Sequence, residues 1–449
     1  MSEKKVKQRY MMLMAAVMLV LFSVLPGAGG VQAKAATAVE KNGALKVSGT
    51  KLVSRDSGQE VQLRGVSTHG INWDVGYPYI SEKAFKTLRD NYGVNAIRLA
   101  MYTTEYYGYC DKGSAADSQE KVKETLKGRI DAGVKAATKL GMYVIIDWHV
   151  LNDQTPLKYQ SQAKKFFKEI SNKYSGYDNV LYEICNEPNG GTSWTDIKKY
   201  AGEIIPVIRS NDPDAVIIVG TPTWSQDVDI ASKSPLSYDN VMYTLHFYSA
   251  THKSSYRDKL KTALNNGLPV MVTEFGVSEA SGDGALNTGE AKQWLDLLDS
   301  NGISYFAWSL SNKAESASLL KNGSTKKSGW TDSDLSKAGK WVLGQYRSRS
   351  GQSTSQLAKV KALSVKNQKG RKVKVTFKKT AGASGYQITY ADNKRFKKAK
   401  QIRTEKNTYT LKKLKKGKTY YIKVRAYYYI DGKVKYGTYN TVKKVKIKK

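Results

Sequence analysis

Between residues 60 and 346 the chain alternates two hydrophobic patterns. Short, near-continuous apolar runs at 61–66, 95–101, 142–149, 180–187, 215–221, 241–248, 269–275 and 304–309 each end in polar or aromatic residues. Runs of that kind suit parallel strands covered on both faces. Amphipathic stretches separate them. In 120–140, the residues Val122, Leu126, Ile130, Val134, Ala137 and Leu140 recur at helical spacing. Gly93, Gly141 and Gly302 stand between a helix and the next strand, where a glycine C-cap belongs. Eight strand–helix units in about 290 residues predict an α/β fold, a (β/α)8 TIM barrel. A doubly wound open sheet is the alternative, but no Gly-rich phosphate loop follows the first strand.

The pattern changes after the barrel. Residues 347–357 are polar and rich in Ser and Gly, as a linker would be. Beyond them the apolar positions alternate over short stretches, 373–377, 386–390, 409–411, 420–426 and 442–447, punctuated by Gly417, Asp431-Gly432 and Gly437. That predicts a small all-β sandwich over 358–449. All eight Trp and all nine Pro precede residue 342, whereas this tail holds ten Tyr.

A length of 449 residues already favours two domains. Charge sharpens the division. The net charge of +34 suggests a nucleic-acid binder until it is counted by segment. Residues 357–449 hold 30 Lys and Arg against three Asp and Glu, a net of +27, while 36–356 carry only +3. At the other end, Lys4, Lys5, Lys7 and Arg9 precede an apolar run over 10–25, followed by small-x-small cleavage patterns ending at Ala33 and Ala35. Residues 1–35 therefore read as a signal peptide rather than an uncleaved anchor, because the run is shorter than the ~20 residues a spanning helix needs. No second long apolar run exists, so no transmembrane segment is expected in the mature protein. Cys110 and Cys185 do not demand a disulfide, and Cys185 reads as a buried thiol. No Cys/His cluster suggests a structural metal, and no cofactor is called for.

In a barrel of this class the chemistry sits at the C-terminal ends of the strands. Those positions hold Arg98, Asp147-Trp148-His149, Asn186-Glu187-Pro188, His246-Phe247-Tyr248, Glu274-Phe275-Gly276 and Trp308. Three of the four histidines, His69, His149 and His246, fall there. Glu187 and Glu274 each end a buried run, where a lone charge is costly unless paired. Strands four and seven stand nearly opposite in an eight-membered ring, so the two carboxylates face each other across its mouth. Paired carboxylates flanking a bond are what glycoside hydrolysis needs: one protonated to donate, one ionised to attack. Arg98 and Tyr248 are placed to keep Glu274 anionic, and Asn186 to hydrogen-bond a sugar 2-hydroxyl. Trp73, Tyr102, Trp148, Trp224 and Trp308 ring the mouth with flat faces suited to sugars; of these Trp148 reads as core.

The residues Ile97-Arg98-Leu99, Asp147-Trp148-His149, Tyr182-Glu183-Ile184-Cys185-Asn186-Glu187-Pro188, His246-Phe247-Tyr248 and Thr273-Glu274-Phe275-Gly276 give segment 45–345 a strong resemblance to glycoside hydrolase family 5, in its bacterial endo-β-1,4-glucanase branch. The resemblance implies Glu187 as acid/base and Glu274 as nucleophile, supported by Arg98, His149, Asn186, His246, Tyr248 and Trp308, with retention of anomeric configuration. Branch-level matches at Thr68-His69-Gly70 with Trp73, at Thr223-Trp224-Ser225-Gln226 and at 308–313 followed by Glu315 imply glucan contacts by His69, Trp73, Tyr102, Trp224, Trp308, Lys313 and Glu315. The tail resembles fibronectin type III modules through Gly385-Tyr386-Gln387-Ile388, 415–421 and Val424-Arg425-Ala426-Tyr427.

The expected protein is thus a secreted, extracellular glycosidase acting on a β-glucan. Mannan, xyloglucan and lichenan remain open as substrates, because subsite geometry decides among them. An envelope-binding protein with an incidental barrel is the reading from another class. The basic tail is expected to meet an anionic cell wall or insoluble polysaccharide, and export removes nucleic acid as a partner.

Overall fold

The computed structural model describes residues 36–111, 117–350, 359–380, 383, 385–430 and 433–448. The signal-peptide reading of 1–35 and most of the linker, 351–357, lie outside them.

The chain opens with a short helix, Ala38–Asn42, and a hairpin of β1 (Leu45–Ser48) and β2 (Lys51–Ser54) that no sequence pattern announced. Leu45 and Leu52 of this hairpin join a cluster with Leu63, Ala96, Tyr143, Leu181, Ile218, Met271 and Phe306, near the N-terminal starts of the barrel strands. Val61 belongs to the same arrangement, its N–H bonded to Leu52 O at 2.9 Å. That pairing explains why the first barrel strand starts at Arg64 and not at 61.

The barrel strands are β3 (Arg64–Thr68), β4 (Ala96–Tyr102), β5 (Tyr143–His149), β6 (Val180–Glu183), β7 (Ile217–Val219), β8 (Val241–Tyr248), β9 (Val270–Gly276) and β10 (Tyr305–Leu310). All pair in parallel, and β10 closes on β3. Every residue of β4, β5, β8 and β9 is buried, as continuous apolar runs require of strands covered on both faces. Gly65 has a packing reason: a Cβ there would lie 2.0 Å from the Phe306 ring.

The helix Gln119–Leu140 shows why the intervening segments are helical. The Ser118 side chain caps its start by accepting from Lys121 N–H, and Gly141 ends it at φ +63°. Its inner stripe, Val122, Leu126, Ile130, Val134, Ala137 and Leu140, is buried against the barrel, each large side chain contributing about 1.5–3 kcal/mol. Trp148 packs on Phe166, Phe167 and Tyr109 in this layer, a core residue as expected. Cys110 and Cys185 are both buried free thiols.

The last barrel helix, Lys337–Arg349, corrects the linker's start. Arg347 and Arg349 read as linker by composition. In the structure Arg347 Nε donates to Asn91 O at 2.8 Å, and Arg349 pairs with Asp296 at 2.7 Å and with Asp299. Those distant partners hold the helix three residues further than the polar pattern allows.

The C-terminal module has two antiparallel sheets. One contains β11 (Ser364–Gln368), β12 (Lys372–Thr376) and β15 (Thr408–Leu411). The other contains β13 (Gly385–Ala391), β14 (Lys400–Thr404), β16 (Thr419–Ile430), β17 (Lys433–Tyr436) and β18 (Lys443–Lys446). Val373, Val375, Ile388, Leu411, Ile422 and Val424 form the core between them. The strands β11, β14 and β17 are additions to the sequence reading. β11 and β14 show no clean alternation, and β17, Lys-Val-Lys-Tyr, alternates over only four residues, so tertiary pairing decides them.

Candidate active site

Arg98, on β4, sits fully buried beneath the C-terminal mouth of the barrel and organises the charges there. Its Nε and Nη2 grip both oxygens of Glu183 at 2.7 and 3.1 Å. Nη2 also reaches Asn186 Oδ1 at 2.6 Å and Asp147 Oδ2 at 3.0 Å, and Nη1 reaches Glu274 Oε2 at 3.1 Å. Burial works against the Arg98 charge, but Asp147, Glu183 and Glu274 together raise its pKa instead.

Glu274 stands near the end of β9 and accepts a second bond, at 2.7 Å, from the Tyr248 hydroxyl of β8. Glu187 does not lie on a strand. β6 ends at Glu183, and the chain leaves as a strap over the rim, tied down by Glu187 N–H to Val150 O at 3.0 Å and by Ser225 Oγ to Asn186 O. The strap brings Glu187 Oε1 within 2.9 Å of His246 Nδ1. One oxygen each of Glu187 and Glu274, with a nitrogen of His246, lie within 4.8 Å of one another.

Burial is the main influence on both carboxyls. Glu187 is pushed up to about 8; Arg98 opposes this, while Asp147 and Glu183 add to it. Glu274 is pushed up to about 7 by burial and then by Glu187, with His246, Arg98 and the Tyr248 bond pulling it down. The pair therefore holds a proton near neutrality, and the direct cationic and hydrogen-bond contacts favour Glu274 as the ionised member. Burial lowers His246 to about 4, and His149 well below its ordinary value. His149 is accordingly a neutral ring: Nδ1 donates to Asp147 Oδ2 at 2.6 Å, and Nε2 accepts from Asn186 Nδ2 at 3.2 Å.

These groups floor a cleft of about 700 Å³. Every candidate residue named from the sequence lines it except Arg98 and Asn186, which lie underneath. Asn186 thus departs from the expected sugar contact. Its amide is taken up by Arg98, His149 and Val150 O. Trp73, Tyr102, Tyr248 and Trp308 pack together on one wall. Lys313 Nζ bonds Glu315 Oε2 at 2.6 Å, leaving Glu315 Oε1 covered and without a hydrogen-bond partner, 3.8 Å from His69 Nε2.

Trp224 is presented differently, 46% exposed at the tip of three consecutive left-handed residues, Thr223, Trp224 and Ser225. Left-handed backbone at non-glycine residues costs about 1–3 kcal/mol each. The bonds from Ser225 Oγ to Asn186 O, and from Trp224 N–H to Pro188 O at 2.9 Å, lock that turn to the strap that carries Glu187.

Glu183, Thr273 and His252 were not singled out as site residues. Glu183 carried a signal, a charge inside an apolar run. His252 carried none, since it stands beyond a strand end, where its Nδ1 accepts from Tyr248 N–H at 2.9 Å. The spacing of Glu187, His246 and Glu274 alone would suit a cation. Both His246 nitrogens are engaged, however, and Arg98 stands against Glu274, so the donor set is committed elsewhere.

Residues 54–314 match the profile of the cellulase family, glycosyl hydrolase family 5, and residues 358–434 that of the fibronectin type III domain. The chain belongs to glycosyl hydrolase family 5. It is 48% identical over 337 residues to an endoglucanase of Clostridium saccharobutylicum, covering 75% of this chain and 71% of that protein. Endoglucanase A of Butyrivibrio fibrisolvens is 50% identical over 305 residues, 68% of each chain. Among solved structures, the catalytic domain of Thermobifida fusca endoglucanase Cel5A in complex with cellotetraose is 36% identical, with a TM-score of 0.64 over 70% of this chain and all of that one. This family-5 chain is a glycoside hydrolase of the cellulase type, and β-glucan is the substrate class its family indicates. Among the described residues no helix is long and apolar enough to cross a membrane.

Proposed function

We propose that the chain is a secreted, retaining endo-β-1,4-glucanase in which Glu274 is the nucleophile and Glu187 the acid/base. The observation that carries this is the approach of the two carboxyl groups, with oxygens within 4.8 Å. Inverting enzymes hold theirs about 6.5–9.5 Å apart, to seat a water between base and sugar. At the shorter spacing a carboxylate attacks the anomeric carbon directly.

In the first step Glu274, held ionised by Arg98 and Tyr248, forms a bond to the anomeric carbon while Glu187 passes its proton to the departing glycosidic oxygen. In the second, Glu187 takes a proton from water, the water oxygen bonds the anomeric carbon, and Glu274 leaves. Two inversions give net retention. Arg98 offsets the negative charge returning to Glu274 as it departs. The ring-lined wall of Trp73, Tyr102 and Trp308 suits the glycone, Lys313 and Glu315 on the cleft lining suit sugar hydroxyls, and Trp224, beside the strap, suits the leaving-group side. Asn186 acts from beneath, orienting His149. Proton NMR of cellopentaose digestion tests this. The nascent reducing end appears first as the β-anomer; an α-anomer appearing first overturns it.

For the basic module, contact with an anionic wall polymer is favoured by one observation. On one face the cations stack on rings instead of pairing with carboxylates. Arg425 lies 3.9 Å from the Tyr436 ring and 4.4 Å from Tyr439, and Lys423 lies 4.2 Å from Tyr439 and 4.3 Å from Phe396. Arg425 spends its Nε–H on Gln387 Oε1 at 2.8 Å, and stacking leaves the positive charge of both side chains without a carboxylate partner among the described residues, suited to a polyanion. Truncation after Ser350 should leave hydrolysis of carboxymethylcellulose intact and abolish a salt-sensitive attachment to anionic walls. Loss of soluble activity, or attachment insensitive to salt, counts against it.

A further inference from the structure

We propose that Thr273 and Glu183 are positioning residues that keep the catalytic proton on Glu187 by fixing which nitrogen of His246 carries hydrogen. This rests on the reading of Glu187 as the acid.

Glu183 has both oxygens gripped by Arg98, so it is an ionised group that only accepts hydrogen bonds. Thr273 Oγ1 lies 2.7 Å from Glu183 Oε1 and must donate to it. A hydroxyl has one proton. Thr273 therefore offers only lone pairs to its other two partners, Thr244 Oγ1 at 2.6 Å and His246 Nε2 at 2.9 Å. The Thr244 hydroxyl accepts the Thr273 N–H at 3.1 Å, which leaves its own proton for Thr273 Oγ1. Hydrogen on His246 must then sit on Nε2.

A neutral imidazole carries hydrogen on one nitrogen, so Nδ1 is bare, and it faces Glu187 Oε1 at 2.9 Å. Two lone pairs at that distance repel. The contact is a hydrogen bond when Glu187 supplies the proton. Protonating the ring is the other way to satisfy it. Besides Glu187, the charged groups facing His246 are Glu274, Arg98 and Glu183, with neutral His149 beyond. Burial outweighs the two carboxyls and keeps the ring neutral. The network thus stabilises the carboxylic acid before glycosylation. Once the proton has gone to the leaving oxygen, the Glu187 anion faces a bare nitrogen and draws the next proton from water, as the second step needs.

With four histidines in the chain, selective 15N-histidine NMR resolves the tautomer directly. His246 in the wild type carries hydrogen on Nε2; hydrogen on Nδ1 overturns the proposal, and this holds even if no variant folds. Thr273→Val frees His246 to donate from Nδ1 to a Glu187 anion. The alkaline limb of kcat/KM on cellotetraose then moves down by about one pH unit, a roughly tenfold loss above the limb. Thr273→Ser restores it, and a dinitrophenyl cellobioside, whose leaving group needs no proton, shows little change in its glycosylation rate. If Glu187→Gln leaves the alkaline limb in place, the acid assignment fails. If that variant removes the limb but Thr273→Val does not move it, the relay alone fails.

Discussion

Replacing Arg98 by Met tests whether one buried cation holds the site together. Methionine keeps much of the side-chain length and removes the charge. What remains is Glu183 and Asp147 with no exposure and Glu274 with 6%. Taking away one partner of a buried ion pair costs about 3–5 kcal/mol, out of a total stability near 5–15 kcal/mol. The pH dependence separates this cost from lost packing. Burial already raises Asp147 and Glu274 to about 7 in the presence of Arg98, and losing the guanidinium raises them further. In the unfolded chain these groups ionise near pH 4. Between the wild-type folded values and the higher variant values, the folded variant holds protons that its unfolded chain and the folded wild type have released. Its stability therefore falls relative to wild type as pH rises through about 7. Two carboxyls titrating over one to two pH units give about 3–5 kcal/mol. Urea unfolding followed by tryptophan fluorescence isolates the barrel, since all eight Trp precede residue 342. The expected result is a deficit several kcal/mol larger at pH 9 than at pH 6. An equal deficit at both would show that Arg98 matters for its volume and not its charge.

Three further outcomes follow from individual contacts. Tyr248→Phe removes the 2.7 Å bond that favours ionised Glu274, so the acidic limb of kcat/KM moves to higher pH, and activity falls most below neutrality. Trp224→Ala, at a half-exposed ring, should raise KM for cello-oligosaccharides roughly tenfold, about 1.4 kcal/mol, with an unfolding midpoint close to wild type. Gly220→Ala places a Cβ 2.5 Å from Cys185 O and 2.9 Å from Pro188 Cδ, displacing the strap that carries Glu187. In that variant kcat drops with KM little changed, and initial-rate kinetics on cellopentaose separates the two.

The barrel was legible because its strands are buried on both faces and read as continuous apolar runs, while its helices show only one apolar stripe. The strand-end rule brought His149, His246, Tyr248, Glu274 and Trp308 to one cleft from order alone, whereas Arg98, well inside β4, lies beneath it. Glu187 was read as a strand-end residue, but the strand stops at Glu183 and Glu187 stands on the strap beyond it. The strap is held by Val150 O and by Ser225, contacts from other parts of the chain. The β1–β2 hairpin escaped notice because strands of four residues are too short to show a period. Asn186 was expected to face sugar, and only the packed network shows its amide consumed beneath the cleft. Arg347 and Arg349 looked like linker because ion pairs to residues far away in sequence leave no local trace.

The division of labour between Glu187 and Glu274 is the core of the proposed mechanism, and azide rescue of the two alanine variants reads it directly. With an activated aryl cellobioside, Glu187→Ala still forms the glycosyl-enzyme and then stalls for want of a base. Azide needs no base, and attack on that intermediate gives the β-glycosyl azide. In Glu274→Ala, azide enters the vacated nucleophile side and gives the α-azide. Proton NMR of the anomeric coupling distinguishes them. A β-azide from Glu187→Ala with an α-azide from Glu274→Ala is the predicted result; the opposite pairing would reverse the two roles.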